Sequence, residues 1–162
     1  MYDNSIHLRI PAAADGHQLH HLVSQCPPLD SNSIYCNLLH CTHFASTSIA
    51  AFNADVLVGF ISAYTVPDRP NSLFVWQVAV AEQARGKGLA LEMLKGLVSR
   101  VSLNGIQYLE TTITKDNPGS WALFKKFARQ KESELTENVF FDKEQHFKGK
   151  HDSEWLVRIG PF

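Results

Sequence analysis

The sequence is short of cysteine, has no membrane-length apolar run, and carries no excess of charge of one sign. Its 3 cysteines, Cys26, Cys36 and Cys41, are odd in number and form no C-x-x-C pair, which argues against a disulfide framework. No stretch approaches the roughly 20 apolar residues that cross a bilayer, so no membrane partner is expected. Lys and Arg number 15 against 16 Asp and Glu, a formal net charge of −1. Such a chain lacks the global positive field with which proteins hold nucleic acid, and none is expected as a partner. Met1, Tyr2, Asp3 and Asn4 supply neither a basic cluster nor an apolar segment, so no secretory leader is expected and the cytoplasm is the default compartment. Repeats and Gly-, Ser- or Pro-rich linkers are also missing, and residues 1–162 read as a single domain. Cys36, His40, Cys41 and His43 lie close together but match no zinc spacing; they read as ordinary packing, and no metal is expected.

What is present is an alternation of strand and helix patterns. Ile6, Leu8 and Ile10 alternate ahead of Pro11 and predict a first strand over 5–10. Leu19, Leu22 and Val23 predict a helix over 12–24. Beyond Pro27-Pro28, Ser31 or Asn32 can cap a second helix carrying Ile34, Leu38 and Leu39. Residues 47–52 and 56–66 read as a hairpin turning at Asn53-Ala54-Asp55. Residues 67–72 form a dense turn cluster, and 73–80 make the most strand-like segment, expected at the sheet centre. A helix over 89–101, a strand over 106–113, a helix over 118–128 begun by Asn117-Pro118, and strands over 136–141 and 154–159 complete the order. This mixture predicts an α/β (α+β) sheet flanked by helices.

Between the central strand and the next helix lies Val78-Ala79-Val80-Ala81-Glu82-Gln83-Ala84-Arg85-Gly86-Lys87-Gly88-Leu89. Gly86 and Gly88 allow backbone angles closed to other residues and a close approach to a ligand. The N–H groups of the loop and of the helix start can then converge on an anion of pyrophosphate size. Arg85 and Lys87 add positive charge; the plainer reading is a glycine turn with two solvated bases. The P-loop pattern fails because Leu89-Ala90 follows Gly88, and the dinucleotide pattern fails because Leu91 stands at its third glycine.

The string Val78-Ala79-Val80 followed by Gln83-x-x-Gly86-x-Gly88 resembles the acetyl-CoA loop of the GNAT-type N-acetyltransferases. Asn117-x-x-Ser120-x-x-Leu123-Phe124 resembles the second motif of that family. The resemblance implies a GNAT fold, with a mixed, mostly antiparallel twisted sheet of about six to seven strands and about four helices. It implies acetyl-CoA as co-substrate, held at its pyrophosphate by residues 85 to 88 (Arg85, Gly86, Lys87 and Gly88). The pantetheine arm is expected along the backbone of Val78 and Val80 and at Asn117. Lys125, Lys126 and Arg129 either meet the 3′-phosphate or are simply solvated. Many family members carry a proton-donating Tyr where this chain has Phe124. A thiol of pKa about 8.5 can leave as thiolate, or Tyr35 can supply the proton.

The stretch from Cys26-Pro27-Pro28 through Asp30, Tyr35 and Cys41 to His43-Phe44, with Trp76 and His151-Asp152-Ser153-Glu154, resembles the ectoine-pathway diaminobutyrate acetyltransferases. That resemblance implies acetylation of the 4-amino group of L-2,4-diaminobutyrate by a homodimer. Acids suit the two ammonium groups of such an acceptor, and Asp30 and Glu154 supply them. Tyr35 and His151 supply donors for its carboxylate, and Trp76 a wall with cation–π attraction. Plainer readings exist: Asp30 as a helix cap, Tyr35 and Trp76 as core, His151 and Glu154 as an exposed turn and strand edge. An amine of pKa about 10 must lose a proton before it attacks; Glu154 is the first candidate base and Asp30 the second. A backbone N–H near Val78 can stabilise the oxyanion. Cys36 and Cys41 have no identifiable partner base, so no covalent cysteine route is expected. Two rival readings are a GNAT enzyme for another small amine and a non-catalytic acetyl-CoA-binding module.

Overall fold

The computed structural model describes residues 5–102 and 104–162. The N-terminal residues read above for a leader lie outside the described residues. The strands are β1 (Ile6–Arg9), β2 (Ile49–Asn53), β3 (Val56–Val66), β4 (Arg69–Val80), β5 (Tyr108–Ile113), β6 (Leu135–Phe141) and β7 (Glu154–Ile159). The α-helices are α1 (Gly16–Ser24), α2 (Ile34–His40), α3 (Leu89–Ser102) and α4 (Pro118–Gln130). The strands follow the order β1-β2-β3-β4-β5-β7-β6. The expected mixed sheet of a GNAT fold, mostly antiparallel, is therefore present, with seven strands and four α-helices among the described residues. None of those helices is long and apolar enough to cross a membrane.

The chain forms two compact units. The first runs to Tyr64 and takes in Trp76–Asn104. Here β1 pairs antiparallel with β2, and β2 with β3 through a register shift at Ala51/Phe52. The apolar stripe of α3 (Met93, Leu94, Leu97 and Val98) is fully buried, as its helical spacing predicts. Ser33, one residue beyond the two predicted caps, caps α2 by accepting from the Cys36 N–H at 3.1 Å.

The second unit comprises Thr65–Val75 and Gly105–Phe162. The first half of β4 runs parallel to β5, from Ser72↔Tyr108 to Val75↔Thr111. β7 pairs antiparallel with both β5 and β6. Trp121, Phe124, Phe127 and Ala128 form the buried stripe of α4. The turn cluster expected over 67–72 is shorter than its composition suggests. Only Pro67 and Asp68 turn, and Arg69 already opens β4. The Arg69 guanidinium meets the buried Glu110 carboxylate at 3.1 Å, which holds the chain extended. Pro70 precedes the stretch of β4 that pairs with β5.

Candidate active site

In the first unit, the Ala81 N–H donates to the Val58 carbonyl at 2.8 Å as the chain leaves β4. A 3₁₀ turn over Glu82–Ala84 follows, and then the two glycines. Gly86 has φ +74° and Gly88 φ +79°, and a Cβ on either would meet nothing within 4 Å. The space beside both glycines is therefore open. The first helical bond of α3 returns to the Gly88 carbonyl, from the Glu92 N–H at 3.0 Å. The earlier N–H groups of that 14-residue helix have no intrahelical acceptor and, with the helix dipole, favour an anion. The loop residues fit a pyrophosphate.

The Arg85 side chain is tied back to the end of β4. Its Nε donates to the Val80 carbonyl at 3.0 Å and its Nη2 to the Cys26 Sγ at 3.7 Å. The Cys26 thiol donates to the same Val80 carbonyl at 3.5 Å. The knot fixes where the loop begins. Lys87 reaches the Gln83 carbonyl at 3.4 Å. Backbone groups of successive strand residues point to opposite edges. Since Ala81 bonds Val58 of β3, the N–H and C=O of Val80 and Val78 point to the edge away from β3. The Val80 carbonyl is already engaged; the Val80 N–H and both groups of Val78 remain on that edge.

The acceptor-side residues of this unit are not core. Tyr35, on the first turn of α2, is 70% exposed and Trp76 is 45% exposed. Trp76 meets His40 edge-on, with ring centroids 4.8 Å apart. His40 is buried, burial lowers its pKa, and its Nδ1 has no partner. It is therefore a neutral, mostly apolar support for the indole. The Cys36 Sγ lies 3.8 Å from the His40 Nε2, and burial raises the Cys36 thiol pKa. Burial likewise raises the Cys41 thiol to about 11, so neither is a ready nucleophile at neutral pH. Among the described residues no cluster of three metal-ligating side chains occurs. Asp30 is exposed and does not cap α2, a role that belongs to Ser33. Its carbonyl instead accepts from the Gln77 Nε2 at 3.1 Å, and the Gln77 Oε1 accepts from the Asn32 Nδ2 at 2.9 Å. These two amides were missed from sequence. The available signal was a polar residue in the buried phase of β4, where Leu73, Val75 and Ala79 are its neighbours.

In the second unit, the Asn117 Oδ1 accepts from the Ser120 N–H at 3.2 Å and caps α4. Its Nδ2 is then the group left for a ligand. The loop before it is anchored twice: the Trp121 indole N–H donates to the Thr114 carbonyl at 2.9 Å, and Lys115 Nζ lies over the Trp155 ring at 3.9 Å. Phe124 is buried and has no proton to give. Lys125 and Arg129 line a cavity of about 340 Å³ together with Glu132 and Ser133, whereas Lys126 does not line it. His151 lies against Phe147, ring centroids 4.6 Å apart at a 40° tilt, and its Nδ1 lies 2.6 Å from the Asp152 carbonyl. A carbonyl only accepts, so Nδ1 carries the proton and neutral His151 has a bare Nε2. That Nε2 faces the Glu154 Oε1 at 3.9 Å.

The sites predicted from sequence thus fall into two groups. Asp30, Tyr35, Trp76, Val78, Val80 and the 85–88 loop belong to the first unit; Asn117, His151 and Glu154 belong to the second. Within the first, Gln77 links Asp30 to the strand that carries Trp76 and Val78. Within the second, His151 and Glu154 come together.

Comparison with known proteins identifies the family. Residues 16–128 match the acetyltransferase (GNAT) family. An L-2,4-diaminobutyric acid acetyltransferase of Methylotuvimicrobium alcaliphilum is 52% identical over 157 residues, covering 97% of this chain and 91% of that protein. Its Vibrio cholerae counterpart is 50% identical, over 93% and 87% of the two chains. Among solved structures, the diaminobutyrate acetyltransferase EctA from Paenibacillus lautus, in complex with L-2,4-diaminobutyric acid and coenzyme A, matches with a TM-score of 0.92. It is 38% identical, over 98% of this chain and 96% of that one. The chain belongs to the acetyltransferase (GNAT) family and, within it, to the group formed by these L-2,4-diaminobutyric acid acetyltransferases.

Proposed function

We propose that this protein transfers the acetyl group of acetyl-CoA to the 4-amino group of L-2,4-diaminobutyrate. The product is N4-acetyl-L-2,4-diaminobutyrate, an intermediate on the way to the compatible solute ectoine. The reading is carried by the open double-glycine loop of Gly86 and Gly88, in a chain that matches the diaminobutyrate- and CoA-bound Paenibacillus enzyme over 98% of its length. Acetyl-CoA supplies the activated acyl group, and residues 1–162 act as one acetyltransferase domain. The N–H groups of residues 85–88 hold the pyrophosphate, and Val78, Val80 and the Asn117 Nδ2 hold the pantetheine arm.

The acceptor is a small dication with one carboxylate. Asp30 holds an ammonium group, Trp76 walls the pocket, and Tyr35 donates to the carboxylate, as His151 does from Nε2 when that atom carries a proton. Glu154 takes the proton that the 4-amino group must lose at neutral pH, and the bare His151 Nε2 beside it stabilises the protonated pair. The Val78 N–H supports the oxyanion. Phe124 gives no proton, so the thiol leaves as thiolate or takes a proton from Tyr35. We read the protein as a cytoplasmic homodimer. The family resemblance supports the homodimer, as do three successive exposed apolar residues, Val139, Phe140 and Phe141, on β6; light scattering tests the dimer.

A thiol-release assay over a panel of amines, with NMR of the product, tests the reaction. Diaminobutyrate is expected to be the best acceptor and the N4-acetyl isomer the main product. Ornithine and lysine are expected to be poorer, because added methylenes displace the reacting nitrogen. Preference for another amine, CoA binding without turnover, or a mainly N2-acetylated product would each overturn the proposal.

A further inference from the structure

The polar side chain of Gln77 stands in the buried row of β4, where an unpaired amide would be costly. Every group of that amide is used, and used on one target. Nε2 donates to the Asp30 carbonyl at 3.1 Å, and Oε1 accepts from the Asn32 Nδ2 at 2.9 Å. The same Asn32 Nδ2 lies 3.4 Å from the Oδ1 of Asn37. The buried Asn37 continues through its Nδ2 to the His20 Nδ1 at 3.0 Å. The chain of bonds is directional. Because the Asn37 Oδ1 faces a donor, its Nδ2 must donate, so His20 Nδ1 accepts.

This relay runs from α1 through α2 to the acceptor segment 30–32 and ends on β4 between Trp76 and Val78. The backbone of β4 gives way to it: the Gln77 N–H donates to the Ser62 Oγ at 3.2 Å, a side chain of β3. Asp30 is exposed and precedes the capped helix α2 that carries Tyr35. The amide of Gln77 therefore sets the distance between Asp30 and the strand residues that flank it.

We propose that Gln77, acting through Asp30 and Asn32, is a positioning residue that determines acceptor specificity. It is a buried amide clamp that fixes the ammonium-binding loop against β4 and so measures the length of the diamine. The proposal rests on the acceptor role given to Asp30 above. Losing the clamp loosens the acceptor side and leaves the anion loop and its acetyl-CoA contacts alone. A residue that mattered only for folding would not divide its effect in this way.

The test compares Gln77→Leu, Asn32→Ala and their double variant with the full wild-type chain. It measures KM for diaminobutyrate and for acetyl-CoA, kcat, the kcat/KM ratio of diaminobutyrate to ornithine, and Tm. The expected result for each single variant is a diaminobutyrate KM raised about tenfold and a selectivity ratio lowered about tenfold. kcat should stay within about threefold and the acetyl-CoA KM within about twofold. The double variant should be no worse than the worse single one, because both residues serve one network. Should Gln77→Leu fail to fold, Asn32→Ala and Asn32→Asp carry the same comparison from the half-buried end of the relay. Unchanged KM and selectivity in folded variants would overturn the clamp, as would equal rises in both KM values tracking a fall in Tm. A wild-type protein that ignores diaminobutyrate but acetylates another amine sinks the substrate assignment instead. The clamp is then judged by the same KM split and by the selectivity of that amine over its one-methylene homologue.

Discussion

Replacing Gly88 by alanine separates a ligand cradle from a mere turn. The backbone of Gly88 sits at φ +79°, and no atom lies within 4 Å of an added Cβ. Alanine there meets no steric clash inside the protein and suffers only the left-handed backbone cost, about 1–2 kcal/mol. Gly105, at φ +90° and equally open, offers a matched control outside the loop. Both variants should lose about the same stability by thermal melting. Their kinetics should differ. At Gly88 the new methyl group enters the open space proposed for the pyrophosphate, and the acetyl-CoA KM should rise at least about tenfold, near 1.4 kcal/mol of lost binding. Gly88→Val, with two more methyl groups in the same space, should exceed that. Gly105→Ala should leave the acetyl-CoA KM unchanged. The assay is thiol release at saturating diaminobutyrate. A folded Gly88→Val protein with wild-type KM would refute the cradle. An equal rise in Gly105→Ala would show that the assay reads general loosening rather than an occupied site.

Glu154→Gln should lower kcat by about 10²–10⁴-fold and remove its contribution to the acidic limb of the pH–rate profile, whereas Asp30→Asn should mainly raise the diaminobutyrate KM. The opposite pattern in steady-state kinetics would exchange their roles, and unchanged kcat in both would leave bulk water as the base. Phe124→Tyr should raise kcat by no more than about threefold, and a buried hydroxyl without a partner should cost about 1–3 kcal/mol in denaturant melts; a large gain would show that a missing acid limits the rate. Asp15 is held by both Arg9 nitrogens, at 2.8 and 2.9 Å, and by the Ala12 N–H at 2.7 Å, which together keep its carboxyl below the ordinary 3.8. A depressed carboxyl pKa contributes stability above the unfolded value, and that stability is lost as pH falls through the folded one. Asp15→Asn should therefore cost about 1–2 kcal/mol at neutral pH, a modest figure because the Arg9 side chain is 36% exposed. It should also flatten the stability decline below about pH 4; an unchanged acid profile by circular dichroism would contradict this.

Much of the fold was legible because its determinants are local. Strands over 56–66 and 154–159 were read to the residue, since β-branched and aromatic runs there end at turn or loop residues. The loop at Gly86 and Gly88 was legible for a related reason: positive φ selects glycine, and the need is written into the residue itself. The start of β4 was misread because its extended form depends on a distant partner. Arg69 is held by Glu110, 41 positions away, and no window around Pro67-Asp68-Arg69-Pro70 contains that carboxylate.

The same distinction divides the site. A residue type shows what a side chain can donate or accept, but its neighbours in space decide which of those groups remain for a substrate. Asn117 was chosen as a ligand contact by resemblance, yet its carbonyl oxygen is spent on the Ser120 N–H; only the amide nitrogen is left, which limits what part of a pantetheine arm it can address. Arg85 was counted as charge for a phosphate, yet its guanidinium is bonded to the Val80 carbonyl and Cys26, so its side chain fixes the loop mouth. Glu154 and His151 read from sequence as an exposed turn and strand edge or as a binding pair, and the bond from His151 Nδ1 to the Asp152 carbonyl adds the tautomer, baring Nε2 toward the carboxylate. Each reassignment comes from one or two hydrogen bonds and changes which donor, acceptor or charge remains available. The variants that discriminate best are therefore near-isosteric ones: Gln for Glu154, Asn for Asp30, Leu for Gln77. The first two replace a charged carboxylate by an amide and the third removes both groups of an amide, while the volume stays nearly in place, so a change in KM or kcat reports the polar group rather than a cavity.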